Sequence, residues 1–255
     1  MAGLLTNEGV VGVVHLASVF LKDHTADDLD SLMEANLCLG VRVLEAAVMA
    51  ECRWFINTGT FWQHHHSRRY RPANLYAATK QAFEDLASYY WTTSPIQFVT
   101  LKLNDTYGPG DPRPKVFSLW KKTLRSGAPL KMSPGYQTVN FLYVDDVVSA
   151  YLSLIQWVGS VSPEKAKGVF FRASGAPTLS LRAIAKKFEE VCGGNLNIVW
   201  GALPYRKSEV MKPWRSGRAV PGWKAKVTLE EGIRRILEDE SRGTDGSSVM
   251  PGSKQ

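Results

Sequence analysis

Val10-Val11-Gly12-Val13-Val14-His15-Leu16-Ala17 is a nearly unbroken β-branched run that closes in Leu16-Ala17. Such a run suits a strand covered on both faces, as in a parallel sheet. Working outward, Leu29, Leu32, Met33, Leu37, Val41, Leu44 and Val48 recur at three- and four-residue spacing, which predicts a helix over 27–52. Trp54-Phe55-Ile56 is the next short strand and ends at Asn57-Thr58-Gly59-Thr60. A second helix is expected over 74–90, then a strand over 96–103 closed by Tyr107-Gly108-Pro109-Gly110. Strand, helix, strand, helix, strand is the alternation of a doubly wound α/β layer with right-handed crossovers, and its site should lie at the strands' carboxyl ends.

Beyond Pro109 the alternation weakens. Helices are expected over 116–125 and 145–157, the latter with Asp145 and Asp146 in its first turn, where the helix dipole favours acids. Short strands are expected over 139–144 and 168–172. An amphipathic helix over 179–192 begins at Thr178 or Ser180 and stops at Gly193-Gly194. Thr228-Leu229-Glu230-Glu231 opens the last helix as a capping box. The expected layout is one large α/β layer over 1–160 and a smaller, mixed α/β C-terminal lobe over 161–240, interleaved with 110–140. A disordered tail over 241–255 should follow.

Composition narrows the function. The 255 residues are 44% hydrophobic and carry a formal charge of +7. Between Arg206 and Lys226 seven bases stand against one acid, Glu209, so most of the excess is local. A basic stretch confined to the C-terminal lobe favours a phosphate-bearing small molecule over nucleic acid. Three cysteines, Cys38, Cys52 and Cys192, lack metal or disulfide spacing and read as buried thiols of a reducing compartment. No apolar run approaches the roughly 20 residues of a spanning helix, and residues 1–9 lack a signal peptide's basic and apolar regions. A cytoplasmic protein with no membrane partner is expected.

Tyr76-Ala77-Ala78-Thr79-Lys80 places a phenol and an ammonium four apart on one helical face, where the cation can lower the tyrosine pKa and ready it for proton transfer. The strand ending at Thr58-Gly59-Thr60 delivers two hydroxyls towards the same place, with a glycine between them for close approach of a ligand. His64-His65-His66 has no second cluster of carboxylates or thiols and reads as a polar loop rather than a metal site. Leu37, Val41 and Leu44 with Phe83, Leu86 and Tyr90 form a candidate apolar stripe on the two large helices.

These segments, with Phe141-Leu142-Tyr143-Val144-Asp145-Asp146-Val147, occur in the order found in the extended short-chain dehydrogenases/reductases, the NAD-dependent epimerase/dehydratase group. The resemblance spans about 10–240 and is nearest to nucleotide-sugar enzymes of the CDP-abequose synthase type. It implies that Thr58 bonds the reacting sugar oxygen, Tyr76 is the acid/base and Lys80 holds the nicotinamide ribose, with Ala17 and Tyr107 also at the cofactor. It implies Thr60 and Asp105 near the sugar. Val139 stands where relatives grip the substrate diphosphate with an arginine, which leaves Arg113, Lys115, Arg215 or Arg218 to replace it. Gly59 and Thr60 stand in place of an Asp-Glu pair, which argues against 4,6-dehydration. In the family the two large helices pair across a two-fold axis, so the stripe implies a homodimer, and Asp145-Asp146 is a structural helix start.

The resemblance also implies NAD or NADP, yet the strand and Gly-x-x-Gly-x-x-Gly turn that hold the pyrophosphate are not in this sequence. Nine residues precede Val10, where a βαβ unit needs about 30. The expectation is therefore an N-terminally truncated Rossmann-type sheet. The resemblance implies that 1–160 is a Rossmann-like catalytic layer and 161–240 a substrate lobe, with nucleotide-sugar oxidoreduction or epimerisation as the expected function, or alternatively that of a cofactor-free ligand-binding module, non-redox isomerase or cyclase.

Overall fold

Alternation within the strands assigns the two faces of the central sheet. In the computed structural model, which describes residues 1–175 and 177–244, Phe55 and Phe98 turn to one face while Ile56, Val99 and Leu101 turn to the other. Helix α1 (Ala2–Asn7) precedes strand β1 (Gly12–His15), and α2 (Leu29–Met33) passes through a π-helical turn, Glu34–Cys38, into α3 (Leu39–Met49). Strand β2 (Trp54–Thr60), helix α4 (Leu75–Thr93) and strands β3 (Gln97–Leu103) and β4 (Asp105–Tyr107) follow. Next come α5 (Val116–Ser126), β5 (Leu130–Met132), β6 (Thr138–Val139), β7 (Phe141–Tyr143) and α6 (Val144–Ser160). The chain continues with β8 (Lys167–Ala173), β9 (Leu179–Ser180), α7 (Leu181–Cys192), β10 (Ile198–Trp200), β11 (Arg218–Ala219) and α8 (Leu229–Thr244).

The main sheet is five-stranded and wholly parallel, in the order β1-β2-β3-β8-β11, as expected of a doubly wound α/β fold. Helices α3 and α4 cover one face through Leu44, Phe83 and Ala87, and α6 covers the other through Tyr151, Leu154 and Val158. A second core joins α5, α7 and α8 around Trp120, Ile184, Phe188 and Ile233. Fully burying side chains of this size contributes about 1.5–3 kcal/mol each.

Several expectations are corrected. Strand β8 pairs with β3, and β11 with β8, so 167–173 and 218–219 belong to the first layer beyond the expected boundary at 160. The helix expected over 27–52 carries a π turn, because one extra residue is needed to aim Asn36 inward. Helix α8 extends past Ser241 to Thr244, and the rest of the expected tail lies outside the described residues. Leu44 and Phe83 are core residues, which removes two of the six residues of the expected outer stripe, and Leu37, Val41 and Tyr90 pack partly buried against that core, whereas Leu86 is 49% exposed. Cys38 is exposed rather than buried, and all three thiols are free. The helix ends behave as read: Ser180 Oγ caps the start of α7 by accepting from Ala183 N–H at 3.2 Å, Thr228 Oγ1 caps the start of α8 by accepting from Glu231 N–H at 3.2 Å, and Gly193, where α7 stops, is left-handed. No helix among the described residues is long and apolar enough to cross a membrane.

Candidate active site

The start of α4 fixes the geometry. Asn74 Oδ1 caps the helix by accepting from Ala77 N–H at 2.9 Å, while its Nδ2 donates to the Leu21 and Lys22 carbonyls at 3.2 and 3.0 Å. Asn36, in the π turn, holds the same loop: its Oδ1 accepts from Val19 N–H at 2.9 Å and its Nδ2 donates to Val19 O and Thr79 Oγ1 at 3.0 Å each. The loop leaving β1 is thereby pinned over the first turn of α4. Phe20 meets the Tyr76 ring edge-on at 4.9 Å and approaches Trp62 at 5.6 Å.

Lys80, one turn after Tyr76, is 2% exposed and makes no hydrogen bond or ion pair among the described residues. Its Nζ lies 5.8 Å from the centroid of the Tyr76 ring. Burial pushes Lys80 down to about 8, against the pull of the Glu84 carboxylate. Tyr76 is not lowered as its spacing from Lys80 predicts. Burial pushes it up to about 12, opposed by a hydrogen bond from Ser18 and the charge of Arg113. The ammonium sits over the ring rather than at the hydroxyl, so desolvation of the phenolate dominates. The phenol stands protonated at neutral pH.

Thr58 closes the carboxyl end of β2. Its Oγ1 donates to His15 O at 2.8 Å and lies 2.6 Å from Tyr151 Oη. With the threonine proton committed to His15, Tyr151 is the donor of the second bond. Thr60 is 8% exposed and acts as a turn cap: its N–H donates to Gln63 Oε1 at 2.9 Å and its Oγ1 accepts from Trp62 N–H at 3.3 Å. Gly59 does not open space for a ligand. A Cβ there would stand 2.8 Å from both Gln63 Oε1 and Thr100 Cγ2, so internal packing requires the glycine.

The carboxyl of Asp105, in β4, makes no hydrogen bond among the described residues, and burial pushes it up to about 6, with Lys115 opposing and Glu209 adding to the rise. Arg113 forks onto Asp111 at 2.7 and 2.8 Å, and Lys115 Nζ reaches the same carboxylate at 3.2 Å. Hydrogen bonds and these charges hold Asp111 at about 2 despite its burial. Tyr107, Asp111, Arg113, Lys115 and Lys121 help line a cavity of about 150 Å³. The Tyr107 ring itself sits in the second core, its hydroxyl against Gly232, and Ala17 is exposed on the loop after β1. Arg215 and Arg218 are exposed, and no hydrogen bond or ion pair among the described residues links them to Arg113. Arg206 pairs with Asp23 at 3.6 Å.

The histidine run is not a uniform polar loop. His64 is 7% exposed, stacks on Trp214 at 4.2 Å and meets Lys102 Nζ through Nε2 at 3.1 Å. His65 and His66 each place Nε2 3.2 Å from Glu209 O. No group of three metal-type ligands occurs among the described residues. Sequence reading missed Tyr151, Ser18 and the buried Lys102. The available signal was a polar tip inside an apolar helix stripe and a lysine near the carboxyl end of a core strand. Asp146 is structural as read, accepting from Lys226 and Val227 N–H at 2.9 and 3.0 Å.

Residues 1–166 match the family model described as the NAD dependent epimerase/dehydratase family. A CDP-abequose synthase of Salmonella typhimurium is 25% identical over 240 residues, covering 92% of this chain and 78% of that protein. The CDP-abequose synthase of Yersinia pseudotuberculosis is 29% identical over 203 residues, covering 79% and 69% respectively. The solved structure of MoeE5 in complex with UDP-glucuronic acid and NAD superposes with a TM-score of 0.80 at 21% identity, covering 95% of this chain and 82% of that one, which is a likeness of fold.

Proposed function

This chain belongs to the NAD-dependent epimerase/dehydratase family, and from that premise we propose that it acts on a nucleotide sugar by 4-keto reduction or epimerisation, with Tyr76 giving the proton to the sugar oxygen. The observation that carries the reading is the buried, unpartnered Lys80 ammonium beside the protonated Tyr76 phenol, at the carboxyl ends of β1 and β2. Ligands of open α/β sheets bind at that edge.

The family is NAD-dependent. Lys80 fits the nicotinamide-ribose end, because a desolvated ammonium without partners has donors free for a ribose diol. Among the described residues, no glycine-rich turn between a strand and a helix offers its amides to the pyrophosphate. When bound, the cofactor supplies or accepts hydride at the sugar carbon. The chain's own residues manage the proton and the charge. With its pKa at about 12, Tyr76 begins as an acid and donates to an oxygen that gains negative charge, which favours the direction of reduction. Lys80 and Arg113 place positive charge near the resulting phenolate. Thr58, whose proton is held by His15 and which accepts from Tyr151, has one lone pair left, which can orient a sugar hydroxyl but not the keto oxygen itself. Arg113 and Lys115 give an anionic part of the substrate its counter-charge at the cavity mouth.

The test is turnover of CDP- and UDP-linked 4-keto sugars with reduced NAD and reduced NADP in parallel, followed by nicotinamide absorbance. Oxidation of one nicotinamide with formation of the reduced sugar supports the reading. No turnover of any of these pairs, together with no 4-epimer formed from CDP- or UDP-linked hexoses in the presence of oxidised NAD, contradicts it.

A further inference from the structure

The two flanks of the Tyr76 phenol differ in chemistry, and the proposed reaction uses only one of them. Along the carboxyl edge of the main sheet the strands run β1, β2, β3. The loop after β1 therefore flanks Thr58 and Tyr76 on one side, and residues 107–121, which follow β3 and β4, flank them on the other. The second flank is cationic, with Arg113, Lys115 and Lys121 around the cavity. The first is aromatic. Phe20 meets the Tyr76 ring at 4.9 Å and an interplanar angle of 82°, and the Trp62 ring at 5.6 Å. Phe20 is 39% exposed and Trp62 half-buried, yet neither backbone is loose. Val19, next to Phe20, is held through its N–H and carbonyl by Asn36, and the Leu21 and Lys22 carbonyls are held by Asn74. Trp62 N–H donates to Thr60 Oγ1 at 3.3 Å, and Trp62 O accepts from Ala73 N–H at 2.9 Å. Two bases of adjoining segments are spent on partners: Arg206 on Asp23 at 3.6 Å, and Lys102 on Glu84 Oε2 at 3.4 Å and His64 Nε2 at 3.1 Å. Lys22, on the loop itself, stands exposed in solvent.

We propose that Phe20 and Trp62 determine specificity as an aromatic wall for the apolar end of the sugar, so that the substrate is a nucleotide-linked 6-deoxy sugar rather than a hexose or a uronic acid. The inference rests on the proposed function, which puts the C4 oxygen at Tyr76, and it names the sugar. In a pyranose the diphosphate is carried at C1, across the ring from C4. With the phosphates turned to Arg113 and Lys115, the C4 end faces away from them, and the exocyclic C6 projects furthest from the ring at that end. A methyl group there gains by leaving water for the aromatic surface. A hydroxymethyl or carboxylate in its place gives up hydration against the Phe20 ring, which offers no hydrogen bond in return. The pinned backbones keep the wall in place before substrate arrives, so little ordering cost falls on binding.

The experiment is calorimetric titration of the full chain with matched sugars in their unreactive 4-hydroxy form, in the absence and presence of reduced NAD. One set is CDP-glucose and CDP-6-deoxyglucose; the other is UDP-glucose, UDP-6-deoxyglucose and UDP-glucuronic acid, with CDP and UDP as references. In the set whose nucleotide is bound, the 6-deoxy sugar is expected to bind about 10-fold tighter than its hydroxymethyl counterpart, and tighter than the uronic acid. Phe20→Ser should reduce that preference to about 2-fold or less while the free nucleotide binds as before, and Phe20→Leu, which keeps an apolar side chain, should retain most of it. Should Phe20→Ser also weaken the free nucleotide, Trp62→Leu decides by the same ratio. A nucleotide sugar bound without preference for the 6-deoxy form overturns the inference and leaves the proposed function standing, as does a preference that survives both Phe20→Ser and Trp62→Leu. Binding of no nucleotide sugar at all contradicts the proposed function itself and overturns this inference with it.

Discussion

Asp146 shows how one side chain can hold two parts of the chain together. It is 3% exposed and both oxygens accept backbone N–H groups just ahead of α8. Asp146→Ala leaves those donors without partners and is expected to cost on the order of 2–4 kcal/mol, measured as a lower urea midpoint at unchanged slope. His15 and His64 act through protonation. Burial, with Lys80 near one and Lys102 near the other, lowers each from 6.5 to about 4. Between those values the unfolded chain binds protons that the folded chain refuses, so stability is full above about pH 6.5 and is lost as pH falls towards about 4. Urea midpoints taken across that window should drop with acid, and His64→Gln should flatten the slope by about one proton. Tyr76 and Lys80 were legible because their relation is local, four residues along one helix. Lys102 with Glu84 and His64 was not, because that cluster joins a strand, a helix and a loop through tertiary packing.

At the scale of elements, the first turn of α4 carries the most consequence. Asn74 caps it and also grips the loop after β1, so Asn74→Ala removes two functions at once. The expected cost is about 1–2 kcal/mol, with faster hydrogen exchange at Val19 and its neighbours as the loop loosens. Helix α8 offers a steric counterpart. A Cβ at Gly232 would stand 2.0 Å from Tyr107 Oη, so Gly232→Ala should destabilise by about 1–3 kcal/mol through overpacking, visible as a lower Tm. The strands and most helices were readable from their two- and four-residue periods. The π turn at Glu34–Cys38 was not, because its reason is the aim of Asn36 towards a loop and a second helix. The glycine between Thr58 and Thr60 was misread for a similar reason: its neighbours Gln63, Thr100 and Lys102 come together only when the sheet forms.

At the scale of the molecule, the parallel layer was legible from alternation, but its extent was not. Strands β8 and β11 enter the sheet late in the chain, and nothing local to Gly168–Arg172 reveals which edge they join. The local basic excess was legible too, yet the bases at the cavity are Arg113, Lys115 and Lys121, while Arg215 and Arg218 stay exposed apart from them. All these elements converge on one account, in which a protonated phenol beside a desolvated ammonium delivers a proton to a sugar oxygen. The most direct test is the ratio of kcat/KM between the wild-type chain and Tyr76→Phe on a nucleotide-linked 4-keto sugar with its preferred reduced nicotinamide. The account predicts a loss of about 100-fold or more, carried by kcat, with folding unchanged. Tyr76→Phe turning over at the wild-type rate would contradict it.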